Sequence, residues 1–364
     1  MNDVQRREPR LIEVAQRAGV HVSTASRALN PERRGLVNDA TAARVLEAAT
    51  ELGYTVDLVA RGLKRGRSGT LGVLVADFGN PFVGPLLRGI EDSVEPIGQV
   101  AVVVETRDDP VRLRRHLQTL AGRRVDGFIV TAARDGDAEL LRAISARGTP
   151  VILAVRDLEH SGLPSVVLDD ELGGSMVAEH LAELGHERVT ELAGQDDIVV
   201  FRRRQRGFRM TCAAAGLELL EPPYRATDPT VAEGRRAMKS VLGMDGPLPT
   251  AVFCHNDQMA AGALEVIAEH GLSCPGDLSM VGFNDAPLTS SLAPPLTTVR
   301  VPSEEMGRIA GQMAIAAVDE PGTRVRSVLL QPELVLRDST APLAPTWRSG
   351  SRRRPLRDLS ATLG

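Results

Sequence analysis

Val22, Ser23, Thr24, Ser26 and Arg27 crowd a short segment with small hydroxyls and one guanidinium. Such side chains suit contacts to base edges and phosphates in the major groove of DNA. The support they need is also present. Residues 13–30 read as two short helices around a tight Ala18-Gly19-Val20 turn, the build of a helix-turn-helix. Val14, Ala15 and Ala18 give the first helix an inward face, and Ala25, Ala28 and Leu29 give the second its own, leaving the five groove-type residues outward. Asn38 is placed to cap a third helix running through Ala42, Val45, Ala49 and Leu52 and stopping at Gly53. Three small helices can close a miniature core.

A second set of chemistry-bearing residues lies downstream, where apolar runs end. From Thr70 onward, runs such as 71–76, 100–104, 128–131, 151–155 and 165–168 alternate with amphipathic stretches near 82–94, 111–121 and 138–147. The alternation resumes with 189–193, 251–254, 278–281 and 297–301. Continuous Val/Leu/Ile strands separated by helices mean parallel sheets covered on both faces, and two doubly wound sheets are implied. Ligands of such sheets sit at the carboxyl ends of the strands. Asp77, Asn80, Phe82, Arg156, Asp169, Asp170, Asn256, Asp257, Asn284 and Asp285 fall at those ends, a hydrogen-bonding lining suited to a small polar ligand.

Length and charge agree with a two-part molecule. The chain of 364 residues implies more than one domain, and its net charge of −4 is unevenly spread. Residues 1–68 carry 12 Lys and Arg against 8 Asp and Glu, residues 343–364 carry 5 against 1, and the stretch between carries 26 against 38. A basic module on an acidic body is the layout of a protein that docks one end on a polyanion. Cys212, Cys254 and Cys274 form no CxxC pair, so core thiols are expected rather than a disulfide frame or a metal site. No apolar run reaches the length of a membrane span and no leader precedes the head, so a cytoplasmic protein is expected.

Enzyme signatures are missing: no GxGxxG follows a strand, and neither HExxH nor GxSxG occurs. The nearest approach to a phosphate loop, residues 234–240, has Met238 where a second Gly would let the backbone wrap a phosphate, and reads as a surface helix. His255 reads as a plain cleft or core histidine, with no nucleophile or paired carboxylate tied to it. A transporter's solute-binding protein would share the core but lack the head. No cofactor, no metal and no catalytic activity are expected.

Residues 11 to about 340 resemble a transcription regulator of the LacI/GalR family. The resemblance rests on Glu13-Val-Ala, Ala18-Gly-Val and Ser26-Arg-Ala-Leu-Asn30 in the head, and on Leu52-Gly-Tyr with Ala60-Arg-Gly-Leu63 beyond it. In the body it rests on Asn80-Pro-Phe82, Arg124-Val-Asp-Gly127, Leu184-Gly-His186, Asn256-Asp-Gln-Met-Ala, Val281-Gly-Phe-Asn-Asp285 and Pro294-Pro-Leu-Thr-Thr-Val299. It implies an α/β core of two doubly wound parallel-sheet subdomains, periplasmic-binding-protein-like, with an all-α helix-turn-helix head. It further implies a repressor acting as a homodimer on double-stranded operator DNA, its affinity set by a sugar or related small polar effector held between the subdomains. The implied DNA-binding residues are Val22, Ser23, Thr24, Arg27, Ala60 and Leu63; the implied effector-binding residues are Asn80, Phe82, Arg156, Arg204, Asn256 and Asn284, with Asp169 or Asp170 as weaker candidates. The expected boundaries are a head at 1–56, a hinge at 57–69, one subdomain from 70–168 plus 300–324, the other from 169–299 plus 325–340, and a disordered basic tail at 341–364. Leu343, Leu356, Leu359 and Leu363 keep no heptad, so a dimer rather than a zippered tetramer is expected.

Three departures from the family pattern stand out. Arg10 and His21 replace the usual hydroxyl caps, Asp57 stands where Asn is usual, and Val155 replaces the Asp that commonly precedes the cleft Arg. The hinge carries Gly62 and is marginal as a helix by itself, so binding must supply its ordering along with the unstacking of a base step by Leu63. Leu63→Ala is therefore expected to weaken operator binding while leaving the salt-driven affinity for random DNA almost unchanged. Gel-shift titrations on both DNAs check this, and equal loss on both would reduce the hinge to a tether.

Overall fold

The computed structural model describes residues 9–30, 33–54, 67–323 and 325–343. Ala60 and Leu63 of the expected hinge, and the tail from residue 344, lie outside the described residues. The chain divides at Ser68/Gly69 into two compact units.

In the first unit, α1 (Leu11–Ala18), α2 (Val22–Ala28) and α3 (Asp39–Leu52) surround a core whose buried side chains, among the described residues, are all Val and Ala, including Val14, Ala25, Val45 and Ala49. Small side chains let three short helices close up where larger ones would hold them apart. Gly19 and Gly53, at φ +64 and +65, supply the left-handed residues that end α1 and α3. Asn38 caps α3 as expected, its Oδ1 accepting from Thr41 N–H at 2.8 Å. The inward stripe of α3 runs through Ala48, while Leu52, expected inside, is 37 % exposed because it lies on the last turn beside the cap.

The second unit holds two six-stranded sheets. The first, in the order β11-β5-β4-β3-β1-β2, is wholly parallel: β1 (Thr70–Val75), β2 (Val100–Glu105), β3 (Gly127–Val130), β4 (Val151–Ala154), β5 (Ser165–Leu168) and β11 (Val328–Leu330). The second, in the order β12-β10-β9-β8-β6-β7, contains β6 (Arg188–Leu192), β7 (Glu218–Leu220), β8 (Ala251–Cys254), β9 (Ser279–Asn284), β10 (Thr297–Arg300) and the antiparallel β12 (Glu333–Val335). The boundary expected at residue 325 falls too early. Residues 328–330 still belong to the first sheet, where they pair with Val166–Leu168 and cover the edge of β5. Return to the second sheet comes only with β12.

Three helix pairs cover the sheets at contact distance. These are α4 (Val83–Val94) with α11 (Ser303–Asp319), α7 (Asp170–Glu183) with α8 (Val199–Ala215), and α9 (Val231–Leu242) with α10 (Asp257–Glu269). Each crossing has a glycine on both helices: Gly89 with Gly307, Gly174 with Gly207, and Gly234 with Gly262, every one facing a backbone carbonyl of its neighbour. α5 (Pro110–Gly122) and α6 (Ala138–Ala146) cover the first sheet's other face. Among the described residues no helix is long and apolar enough to cross a membrane. A methyl group at position 207 would overlap the carbonyl oxygen of Glu171. Gly207→Ala is expected to lower the unfolding free energy by about 1–3 kcal/mol, read from urea midpoints; an unchanged midpoint would mean that α7 and α8 can separate freely.

Candidate functional site

Two surfaces carry the residues singled out from the sequence. On the head, Ser23, Ser26 and Arg27 are exposed along α2, as a groove-reading face requires. Val22 and Thr24 are half-buried, and Val22 packs against the head core, so its outward placement holds only in part. Arg10 cannot accept a hydrogen bond at the start of α1, but the Glu13 carboxylate accepts from Arg10 N–H at 2.9 Å. His21 does serve as a cap, its Nδ1 accepting from Ser23 N–H at 3.2 Å.

On the second unit, Asn80, Phe82, Arg156, Arg204, Asn256 and Asn284 line one cavity at the carboxyl ends of both sheets, with Val155, Asp170, Phe201, Pro229, Val301 and Met306 among the remaining walls. Six positions spread over two hundred residues thus converge. The cavity is about 60 Å³, room for water rather than for a sugar-sized ligand, which takes ~300 Å³ or more. A larger ligand therefore requires the two subdomains to part. A wider hollow of about 340 Å³ lies at the outer edge of the first sheet, along the loop that joins β4 to β5 and strand β11. It gathers none of these residues.

Arg204 is the centre of the cleft. Its Nε donates to Asp170 Oδ1 at 2.8 Å and its Nη1 to the His255 carbonyl at 2.5 Å, while its guanidinium lies 3.7 Å from the centroid of Phe283. Asp257 and Asp285, the acidic residues next to cleft Asn256 and Asn284 in sequence, are both engaged elsewhere. Asp257 accepts from Ala286 N–H at 2.8 Å and Thr298 Oγ1–H at 2.7 Å, and Asp285 is held by Arg300 and Arg337 at 2.8 and 2.6 Å. Burial pushes the Asp170 carboxyl up against the pull of Arg204.

The other cleft groups are equally fixed. Arg156 grips Asp108 with two parallel bonds of 2.5 and 3.0 Å. Burial would raise the Asp108 carboxyl, yet the guanidiniums of Arg156 and Arg134 hold it below its usual range. Arg156 is aimed by Val155, whose φ of +68 and the 2.7 Å bond from Arg156 N–H to the Ala154 carbonyl make a strained three-residue turn. Asn256 caps α10 through Met259 N–H at 2.8 Å and donates to the Pro229 carbonyl at 2.7 Å; Asn80 accepts from Phe82 N–H at 3.1 Å.

Behind the cleft, His255 is fully buried and meets the Glu191 carboxylate at 3.0 Å, the carboxylate partner that its sequence surroundings did not disclose. Burial keeps its imidazole below the ordinary range, and its Nδ1 accepts from Gly194 N–H at 3.3 Å, so Nε2–H is the donor to Glu191. With its ring enclosed, His255 holds Arg204 through its backbone carbonyl. At the rim, Arg134 reaches Asp197 at 2.5 Å, Arg202 reaches Asp135 at 2.8 Å and Arg203 reaches Asp157 at 2.9 Å. Each pair joins one subdomain to the other.

Residues 10–57 match the family described as bacterial regulatory proteins, lacI family, and residues 178–340 match the periplasmic binding protein-like domain. The chain is 33% identical over 330 residues to the ribose operon repressor of Escherichia coli (strain K12), covering 90% of this chain and 98% of that protein. Among solved structures, the Lac repressor dimer bound to operator and the anti-inducer ONPF superposes with a TM-score of 0.80 at 26% identity, covering 92% of this chain and all of the other. The transcriptional regulator CelR–cellobiose complex does so with a TM-score of 0.68 at 28% identity over 91% of this chain and all of the other.

The Asp257 carboxyl is pushed up to about 7, first by burial. Between its ordinary value near 3.8 and that value the folded protein holds a proton that the unfolded chain has lost. The stability this proton contributes is complete below about pH 4 and is lost as pH rises through about 7. Asp257→Asn should therefore flatten the fall of the urea midpoint between those limits, and an identical pH slope in both proteins would remove Asp257 as its source.

Proposed function

The chain belongs to the LacI family of bacterial regulatory proteins, and on that premise we propose that it is a cytoplasmic repressor that binds operator DNA as a homodimer and is controlled by a small polyhydroxylated effector in the cleft. The observation that carries the reading is the convergence of Asn80, Phe82, Arg156, Arg204, Asn256 and Asn284 on one cavity in the same chain as a helix-turn-helix. Aromatic faces from Phe82 and Phe201, beside carboxamides and an Arg–Asp pair, offer apolar ring contact together with donors and acceptors, the combination a sugar uses. The relative's name, ribose operon repressor, and the cellobiose in the similar CelR structure favour the same class.

In this reading Ser23 and Arg27 contact bases or phosphates from α2, Val22 and Thr24 support them, and Ala60 and Leu63 act from the hinge. Dimerisation is supported by β2, the edge strand of the first sheet among the described residues, where Val100 and Val102 and nearby Ile97 expose apolar surface. The similar Lac repressor structure is a dimer on operator.

Removing Arg204 alone would strand the buried Asp170 carboxylate, at about 3–5 kcal/mol. The informative variant therefore replaces both charges, Arg204→Met with Asp170→Asn. Full-length protein on operator fragments, titrated with a panel of neutral sugars including ribose and cellobiose, should shift its DNA affinity with one of them. The double variant is expected to keep wild-type operator affinity and lose that response. A normal sugar response in the variant would take the ligand out of this cleft.

A further inference from the structure

The cap on α2 fixes more than the helix. His21 Nδ1 lies 3.2 Å from Ser23 N and 2.8 Å from Ser23 Oγ. A backbone amide can only donate, so Nδ1 carries no proton and acts as acceptor. The Ser23 hydroxyl, the nearer of the two groups at 2.8 Å, shares the one lone pair of that nitrogen and so points its hydrogen at it as well. Its single proton is thereby turned inward, and the exposed oxygen offers only lone pairs to whatever meets the face of α2. A serine at position 21 would impose no such direction, since a hydroxyl donates or accepts.

Side chains at the start of a recognition helix meet base edges. An acceptor there selects an exocyclic amino group, N4 of cytosine or N6 of adenine, and is opposed by O6 and N7 of guanine and O4 of thymine. Resting on the DNA-reading assignment of α2 made above, we propose that Ser23 reads a base amino group as a hydrogen-bond acceptor, and that His21 is the positioning residue that sets this polarity. The operator then carries, at one base pair of each contact, an amino group whose side of the pair matters.

Selection of full-length protein on a randomised duplex library gives the operator, and Ser23→Ala marks the base pair whose preference is erased. Inverting that pair, which exchanges its amino and keto sides, should weaken wild-type binding about fivefold, and deleting the amino group, with purine for adenine or 2-pyrimidinone for cytosine, should weaken it similarly. Neither change should affect Ser23→Ala. In His21→Ala the hydroxyl is free to turn, and the inverted pair should bind within about twofold of the original. His21→Asn supplies a proton-free Oδ1 at the same cap and should restore the fivefold preference, which separates lost polarity from a loosened helix. The proposal is overturned if wild-type protein tolerates the amino deletion, if His21→Ala keeps the full preference, or if Ser23→Ala erases no position. A library that yields no enriched sequence would instead overturn the DNA-reading assignment beneath it.

Discussion

The close crossing of α7 and α8 at Gly174 and Gly207 is the constraint on which the cleft depends. With no side chain between the helices, the backbone of α8 at Arg204 lies against α7, and the first turn of α7 brings Asp170 within 2.8 Å of the Arg204 guanidinium. A helix pair at ordinary separation, 8–10 Å between axes, would set those two groups apart. The same device recurs where α4 meets α11 at Gly89 and Gly307, below Phe82 and Met306. Both walls of the cavity therefore stand on helix contacts that tolerate no Cβ.

Fixing Arg204 in a dry site needs more than one partner. Asp170 balances its charge, the His255 carbonyl accepts a second hydrogen bond, and the Phe283 ring covers its face, so its desolvation is offset from three directions. His255 is itself seated by Glu191, which Arg209 and Gln205 also reach at 2.5 and 2.9 Å. Arg156 repeats the pattern on the other subdomain with Asp108. The lining is thus preorganised by bonds within each subdomain, while the Arg134, Arg202 and Arg203 pairs run between them. Opening the cleft breaks the second kind and leaves the first intact.

Much of this was legible in the sequence because the signals were long or strongly directional. Strands such as β3 and β4 are unbroken apolar runs, Asn38 and Gly53 bracket α3, and several polar residues at strand ends fall in the cleft by the geometry of parallel sheets. What escaped was short or depended on tertiary register. The three-residue strands β7, β11 and β12 carry too few side chains to show a period, so the sequence does not mark the later return between subdomains. Asp257 and Asp285 sit beside cleft asparagines in sequence, yet one is drawn to the β9–β10 region and the other to Arg300 and Arg337. Arg204 finds Asp170 instead, across a helix crossing that spacing along the chain does not reveal. The left-handed Val155 is invisible to propensity, which would place a β-branched residue anywhere else.

Charge is arranged differently in the two units. In the cleft, Arg204 with Asp170 and Arg156 with Asp108 are matched pairs shielded from solvent, so dissolved ions reach them little. The arginines of α2 and its surroundings are exposed and have no such shield, so their attraction to a polyanion weakens as ionic strength rises. Salt concentration thereby tunes how firmly the head sits on DNA while leaving the paired charges of the cleft nearly untouched.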